Sequence, residues 1–404
     1  MMSRLHLVVA WWPSGPLRPG RVSRAVLTGA AALALAACGA HPSPGGRSPD
    51  GRSPDGHAGH SMAVTPAPGA DAPAAPAPPR FFADVAAGGL GGRGVLQVRE
   101  SATGRLVAQD SRVLATGLAA LADGRTFVVA EPVGSSCATR LYRLRLNGRG
   151  QPGRPSRLDV PELHGELWSL AASGNGSVIG YAVSGCSNGD RGYVGVVHLP
   201  GGRARRWGDV NLGGVSRGNV ALNGALSLSA NGRLLAFPAF DLSAGSRITA
   251  QDVRVLPVDA RPGTVARRSR VLLGSPYPPY RPLLAAATLS PGGATLYACA
   301  TLGQAGHAVR LSAYRTTTGR RLRTLATLTV TGSPLAGSGY CPAALDAQGQ
   351  YLLVPYAIRS SRNPAAGPEL RIAMLAVTTG RVTDLTVRLP GGGMEPATGM
   401  SIAW

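Results

Sequence analysis

The chain of 404 residues contains no lysine, so arginine supplies every basic side chain and the formal net charge of +21. A lysine-free composition rich in Arg, Ala and Gly is typical of a GC-rich genome. The arginines are scattered along the whole chain rather than grouped with aromatic residues, which argues against a nucleic-acid-binding motif. We therefore expect a solvated basic surface and no nucleic-acid partner, while attraction to anionic lipid headgroups or cell-wall polymers stays open.

Acidic residues are also scarce: the chain has 20 Asp and Glu, of which 17 follow Phe81. Glycoside hydrolysis needs two carboxyl groups at a set separation, and a quinone-dependent dehydrogenase needs several acidic or amide ligands for Ca²⁺. Neither set can be assembled from the few acids on the longer loops. The motifs GxSxG and HExxH, the P-loop and the EF-hand loop are absent as well. These absences favour a non-enzymatic protein without a bound cofactor.

The N-terminal apolar run, Ala25–Ala37, has thirteen residues, too few to cross a hydrocarbon core of about 30 Å as a helix. Arg18, Arg21 and Arg24 precede it, and a charged flank before a short apolar core is typical of a signal peptide. The run ends in Leu-Ala-Ala-Cys38-Gly, which resembles the lipobox of bacterial lipoproteins of the actinobacterial type.

That resemblance implies a signal peptide at 1–37 and a cysteine, Cys38, that is acylated with palmitate or a similar chain and becomes the mature N-terminus. The protein would then lie at the outer face of the cytoplasmic membrane, anchored by lipid. Several acyl chains on one cysteine would anchor it stably, because a single chain binds only marginally. An ordinary cleaved signal with a chance cysteine is the alternative.

Residues 38–80 consist mainly of Pro, Gly, Ala and Ser, and the pentapeptide GRSPD occurs twice in tandem. Such a composition cannot bury a core and predicts a flexible tether. Within it, His57, His60 and Met62 form an HxxHxM pattern. Imidazole and thioether groups suit copper, and the pattern resembles short metal-binding stretches of copper-handling proteins. The alternative, which we favour, is a polar linker with incidental histidines.

A hairpin pattern recurs through the rest of the chain, in which two short apolar runs flank a turn glycine. The five turn glycines lie 52 to 61 residues apart, at Gly124, Gly176, Gly232, Gly293 and Gly349. Glycine suits these turns because tight hairpins place a residue at positive φ. A second pair of strands follows each hairpin. Four strands in a repeating unit of this length predict an all-β fold of the β-propeller type.

The Thr-Gly-Arg turns at Gly104, Gly319 and Gly380 resemble those of WD40-like and TolB-like bacterial propellers. The resemblance spans 81–404, the predicted propeller domain. Three N-terminal strands and the C-terminal segment Met400–Trp404 would combine into one further unit, which removes open sheet edges. We therefore predict six blades closed by the C-terminal strand. Seven blades are the alternative, because Gly201–Asn223 and Tyr277–Leu284 are irregular enough to contain further strands.

With Cys38 assigned to lipid, four cysteines remain, and an even number in an exported protein favours disulfides. Cys137 and Cys186 follow the second strand of adjacent units, whereas Cys299 ends one second strand and Cys341 begins the next unit. We predict the pairs Cys137–Cys186 and Cys299–Cys341 over the other two pairings. A Cys/His metal site is a weaker alternative, because the chain has no CxxC.

The links between second and third strands, and those between units, are longer than the turns within hairpins. In a propeller both sets of longer links emerge at one end, here called the long-loop face, and function usually lies on long loops over a rigid scaffold. The candidate ligand-binding residues on this face are Glu162, His164, Glu166, Asp190, Arg217, Tyr277, Tyr280, Arg281, His307 and Arg359.

Two groups of these residues suggest specific chemistry. His164 between Glu162 and Glu166 could act as an oriented general base or a metal ligand, and Tyr277 with Tyr280 could stack on a sugar or peptide. Solvated side chains and tyrosines packed on neighbouring blades are the simpler interpretations. The sequence thus predicts a monomeric, lipid-anchored propeller that binds a protein, peptide or cell-envelope ligand. A hydrolase or lyase acting on an envelope glycan or peptide is the alternative, and copper handling is a minor one.

Overall fold

The computed structural model describes residues 62–66, 76–87, 94–134, 136–186, 191–212, 220–222, 224–242, 248–276, 284–302, 308–330, 344–358, 369–389 and 400–404. Every structural statement below concerns these residues. No helix among them is long and apolar enough to cross a membrane.

Strands make up most of the described chain, and the helix α1 (Val265–Arg268) has only four residues. The strands, in chain order, are β1 Met62–Pro66, β2 Phe81–Ala87, β3 Gly94–Glu100, β4 Leu106–Ala115, β5 Gly117–Ala120, β6 Thr126–Pro132, β7 Ala138–Arg145, β8 Ser156–Arg157, β9 Leu163–His164, β10 Glu166–Ala172, β11 Val178–Ser184, β12 Gly192–His198, β13 Arg203–Asn211, β14 Val220–Leu222, β15 Ser227–Leu228, β16 Leu234–Leu242, β17 Ile248–Pro257, β18 Gly263–Thr264, β19 Arg270–Pro276, β20 Leu284–Leu289, β21 Thr295–Leu302, β22 Ala308–Arg315, β23 Arg321–Val330, β24 Ala344–Leu345, β25 Tyr351–Ile358, β26 Glu369–Ala376, β27 Val382–Leu389 and β28 Met400–Ala403.

Consecutive strands pair into four-stranded antiparallel meanders that repeat along the chain. Two sheets have four strands, in the orders β28-β2-β3-β4 and β24-β25-β26-β27. Two sheets have five strands: one has the order β1-β23-β22-β21-β20, and the other has the order β5-β6-β7-β8 with β9 also paired to β7. The largest sheet has ten strands, in the order β10-β11-β12-β13-β14-β16-β17-β19, with β15 paired to β16 and β18 paired to β13. The ten-stranded sheet contains two meanders, joined where β13 and β14 pair in parallel at Val210 and Val220. This repetition of meanders is an all-β propeller, which confirms the predicted fold type.

The second strand of each meander is buried on both sides, and its sequence explains why. β11 is buried along almost its whole length, and a short continuous apolar run is typical of a strand covered on both faces. β4 alternates between exposed and buried residues, as an outer strand should. The apolar clusters lie between neighbouring sheets: the cluster containing Phe82 of β2 also contains Leu353 of β25 and Leu375 of β26.

The C-terminal strand pairs with the N-terminal part of the propeller. β28 lies antiparallel to β2, with Ala403 opposite Ala83. The hydroxyl of Ser401 accepts a hydrogen bond from the backbone N–H of Leu118 at 2.9 Å and donates to its carbonyl at 3.1 Å. The indole N–H of Trp404 donates to the hydroxyl of Ser101 at 3.0 Å. These bonds tie the end of the chain to β5 and to the turn after β3.

The turns between the first and second strands have the backbone conformation that the repeat predicted. Gly124, Gly176, Gly232, Gly293 and Gly349 all have φ between 62° and 74°, where a side chain would be strained. Neighbouring turns are also bonded to one another, because the N–H of Gly174 donates to the carbonyl of Ala230 at 2.8 Å. The turns therefore hold adjacent meanders together as well as closing each hairpin.

Strand β1 lies inside the segment 38–80, for which the composition predicted a flexible tether. It pairs antiparallel with β23, from Met62 opposite Val330 to Pro66 opposite Ala326. The physical reason is the exposed edge of β23, whose unpaired backbone groups can accept another strand. Residues 76–80 also contact the propeller, since the hydroxyl of Tyr351 donates to the carbonyl of Pro76 at 2.5 Å.

Candidate functional site

Many of the predicted site residues lie outside the described part of the chain, so the structure neither groups nor separates them. Those on the long-loop face are Asp190, Arg217, Tyr277, Tyr280, Arg281, His307 and Arg359. The same holds for Cys38, His57, His60 and Cys341. Met62, the last member of the HxxHxM pattern, is the first residue of β1. The lipid anchor and the copper site therefore stay predictions. Of the predicted ligand-face residues, Glu162, His164 and Glu166 are described.

Glu162 is held by two arginines. Its carboxylate accepts a bond from the Nε of Arg140 at 2.5 Å and lies 3.6 Å from Arg157. The hydrogen bond from Arg140 lowers the pKa of the Glu162 carboxyl, and Arg157 adds to the effect. An ionised carboxylate engaged by guanidinium groups is a poor general base, because a base works best with a pKa near the operating pH.

His164 and Glu166 follow Glu162 in the chain, and the charge of His164 adds to the effect of Arg140 in lowering the pKa of the Glu162 carboxyl. Both side chains are exposed, and the carbonyl of His164 accepts a hydrogen bond from the hydroxyl of Tyr193 at 3.1 Å. Within the described residues, no three His, Cys, Asp or Glu side chains come close enough together to hold a metal ion. The role of His164 as a general base or metal ligand stays a prediction.

A disulfide joins the two sheets beside this triplet. Cys137 and Cys186 are bonded, with their Cα atoms 5.5 Å apart, which confirms one predicted pair. The backbone N–H of Gly165 also donates to the carbonyl of Cys137 at 3.0 Å. The disulfide thus fixes the part of the long-loop face that carries Glu162, His164 and Glu166. Cys299 is buried in the core at 1% exposure, and its pairing with Cys341 stays a prediction.

A strongly perturbed acid, Asp252, lies in β17. Asp241, near the end of β16, and Asp252 both contact the Nη2 atom of Arg254, at 2.7 and 3.0 Å. The Nη1 atom of Arg254 donates to the hydroxyl of Ser269 at 3.3 Å. Arg254 and Asp252 are almost fully buried, whereas the side chain of Asp241 is 31% exposed. The cluster therefore opens to solvent on the side of Asp241.

Burial raises the pKa of Asp252 to about 6, and the neighbouring carboxyl of Asp241 adds to the increase while Arg254 opposes it. A carboxyl group near that pKa can donate or accept a proton around neutral pH. The Nε atom of Arg254 is buried and, among the described residues, has no hydrogen-bond partner. The arrangement of Asp241, Asp252, Arg254 and Ser269 can bind a polar group or take part in proton transfer.

A second acid–arginine group lies between β4 and β6. Arg112 binds Asp110 through two bonds, from Nε to Oδ1 at 2.9 Å and from Nη2 to Oδ2 at 2.8 Å. These bonds lower the pKa of the Asp110 carboxyl. Burial raises the pKa of nearby Glu131, and the charge of Asp110 contributes. Like Glu162, Asp110 is neutralised by an arginine rather than free to act as a base.

A cavity of about 140 Å³ lies between the innermost strands of the propeller. Its wall comes from the innermost strands β5, β10, β15, β20, β24 and β28, and alanine and leucine side chains predominate in it. Asp346 is the charged residue in this wall, and its carboxylate accepts the backbone N–H groups of Gln350 and Tyr351. The acid thus holds a turn, and among the described residues the cavity wall contains no cluster of reactive side chains.

Asp252 and Arg254 were absent from the predicted site because they belong to a strand rather than to a long loop. Strand β17, with the sequence ITAQDVRVLP, places two charged residues two positions apart within an otherwise apolar stretch. Residues at that spacing share one face of a strand. Charges on one face of a buried strand usually need a partner, and this signal could have identified the cluster.

Comparison with known proteins gives similarity in structure alone. No family model matches the chain, and no curated protein matches it. Solved structures similar to 80% of the chain include TolB from Acinetobacter baumannii, at 15% identity over 66% of that chain and a TM-score of 0.47. A putative TolB from Agrobacterium tumefaciens matches at 13% over 96% of its length, with a TM-score of 0.43. The periplasmic gluconolactonase of Pseudomonas aeruginosa matches at 16% over 98%, with a TM-score of 0.42. With identities of 13–16% and TM-scores of 0.42–0.47, these three structures carry no argument about the activity of this protein.

Proposed function

We propose that this protein is a lipid-anchored, monomeric propeller of six blades that works outside the cytoplasmic membrane as a non-enzymatic binding module. Its ligand would be a protein, a peptide or a component of the cell envelope, held at the long-loop face. Two observations support the architecture. Six innermost strands line the cavity, and β28 pairs with β2, which would close the ring.

The observation that carries the binding role is the state of the acids near the long-loop face. Glu162, Asp110 and Asp209 each lie within 3.1 Å of an arginine nitrogen. Carboxylates paired in this way present fixed hydrogen-bonding geometry and little net charge, which suits recognition. They do not suit catalysis that needs a free base, and within the described residues no metal-binding group of acids replaces it.

Two experiments test the anchor and the binding role separately. For the anchor, palmitate labelling and globomycin-sensitive processing should both disappear in Cys38→Ala; unchanged processing would rule out lipidation there. For binding, the chain from Gly39 to Trp404 should enrich a specific partner from the producing cell's envelope. Asp241→Asn should weaken that enrichment, whereas the matched change Asp259→Asn, at an exposed aspartate beyond the opposite end of β17, should not.

The second candidate function is a hydrolase or lyase, and one observation favours it. Asp252 has a pKa of about 6 beside a second carboxyl, which is the kind of group that serves as a general acid or base. A panel of glycan and ester substrates would then show turnover that Asp252→Asn abolishes. Turnover that survives in Asp252→Asn would mean that the catalytic group is not Asp252, and no turnover together with an enriched partner would exclude this candidate.

A further inference from the structure

The turns at the end of the propeller opposite the long-loop face, here called the short-turn face, repeat the dipeptide Gly-Arg. It occurs with a left-handed glycine at Gly104-Arg105, Gly124-Arg125, Gly202-Arg203, Gly232-Arg233, Gly319-Arg320 and Gly380-Arg381. These six glycines have φ between 61° and 72°, whereas the glycines of Gly148-Arg149 and Gly153-Arg154, in the connection from β7 to β8, are not at positive φ. The repetition comes from the turn geometry and fixes where the six arginines lie.

Each four-stranded meander contributes one of these turns. Two of them join a first to a second strand and four join a third to a fourth strand. Both kinds of connection emerge at the same end, because successive strands of a meander run in opposite directions. The six arginines are therefore distributed among six meanders on one face, instead of being concentrated on one loop.

All six side chains are exposed, and most of them lack a neutralising partner. Arg105 lies 3.8 Å from Glu100; within the described residues, the other five form no ion pair. Near the long-loop face the pattern is reversed, since Arg112, Arg140 and Arg191 each contact an acid. Five of the six exposed arginines therefore form no ion pair within the described residues, although the exposed carboxylates of Asp123 and Asp259 lie in turns at the same face.

The N-terminal approach to the propeller adds to this face. Arg80 is exposed and its Nη1 atom donates to the carbonyl of Gly148, in the turn between β7 and β8, at 3.1 Å. That turn carries a further exposed arginine, Arg149. The six turns with a left-handed glycine are short, and in each of them the arginine lies at or directly before the start of a strand.

We propose that the short-turn face docks on a membrane surface containing anionic phospholipids. Guanidinium groups bind phosphate through paired N–H donors, and charges spread over a whole face complement a planar array of headgroups better than a single linear polymer. Each arginine near such a surface contributes separately, and salt weakens all of them. The interaction uses the face opposite the proposed ligand site, so it leaves the long-loop face directed away from the membrane.

The test uses the chain from Gly39 to Trp404, which keeps every described strand and carries no acyl group. Its partitioning is measured by co-sedimentation with vesicles of phosphatidylcholine alone and with vesicles that also contain phosphatidylglycerol, at low and high salt. We expect binding to the second kind only, and weaker binding as salt increases. Equal binding to both kinds, or binding to neither, would overturn the proposal.

Two triple variants separate the face from the total charge. Each removes three positive charges from exposed side chains, and circular dichroism checks that both fold. The variant of the short-turn face is Arg125→Gln, Arg233→Gln, Arg320→Gln, and the control is Arg112→Gln, Arg157→Gln, Arg191→Gln.

The face variant should partition about a hundredfold less strongly, and the control should change by less than about threefold. Equal losses in the two variants would mean that net charge alone governs binding. Soluble polyphosphate that binds the chain tightly while anionic vesicles do not would assign the face to a polyanion and overturn the membrane proposal.

Discussion

Replacing Trp404 with alanine tests whether the C-terminal strand holds the two ends of the propeller together. The side chain of Trp404 is 2% exposed, and its ring centroid lies 5.9 Å from that of Tyr351 at the start of β25. Its indole N–H donates to the hydroxyl of Ser101. One side chain at the end of the chain thus contacts two segments that are far away in sequence.

The expected loss follows from these contacts. A buried tryptophan changed to alanine costs about 3–5 kcal/mol, because apolar burial is lost and a cavity stays behind. The hydroxyl of Ser101, which is almost fully buried, would also lose a partner. We therefore expect the free energy of unfolding to fall by about 4 kcal/mol in Trp404→Ala. Trp404→Phe keeps most of the ring and should lose about 1–2 kcal/mol.

Urea unfolding followed by far-ultraviolet circular dichroism measures both variants. Trp168→Ala is the matched control, because Trp168 is only partly buried in β10. Hydrogen exchange of the β2 amides should accelerate in Trp404→Ala and stay unchanged in the control. If Trp404→Ala lost less than about 1 kcal/mol, or no more than the control, β28 would not hold the ends together and the reasoning would be wrong.

Three further predictions concern the disulfide, a turn and the acid cluster. Changing both Cys137 and Cys186 to serine should cost about 4 kcal/mol by the chain-entropy estimate for their separation of 49 residues, and an unchanged urea midpoint would contradict this. Gly232→Ala should cost about 1–3 kcal/mol because of its positive φ, whereas Gly292→Ala, in open space, should be nearly neutral; thermal unfolding compares them. Asp252 has a raised pKa in the folded state, so it takes up a proton below pH 6 before the unfolded chain does, and its contribution to stability improves from pH 6 towards 4. Asp252→Asn should remove that part of the pH dependence of unfolding, and an identical profile would refute the assignment.

The fold type could be predicted because its signals are local and repeated. The turn glycines need positive φ. The segments between them are either alternately apolar and polar or continuously apolar, and these two patterns are typical of half-buried and fully buried strands. The pairing of Cys137 with Cys186 followed from their equivalent positions in adjacent units. In each case the physical constraint acts within one repeating unit or between two units that follow one another in the sequence.

The grouping of charged side chains could not be predicted in the same way. Glu162 looked like a partner of His164, yet its carboxylate binds Arg140 on β7 and Arg157 on β8. Asp252 lies within strand β17, whereas the sequence predicted a site on long loops. Which acid meets which arginine depends on strand register and on the choice of rotamer, and neither is encoded by spacing in the sequence.

The sequence by itself determined the all-β repeat, the positions of its turns and hence the face on which the Gly-Arg arginines lie, because turn chemistry acts over a few residues. The tertiary structure alone decided that Asp241, Asp252 and Arg254 form one cluster. It also decided that β1 adds to the edge of β23 inside a segment whose composition indicated a tether. Both outcomes depend on contacts between strands, and these contacts form only when parts of the chain that are distant in sequence have packed together.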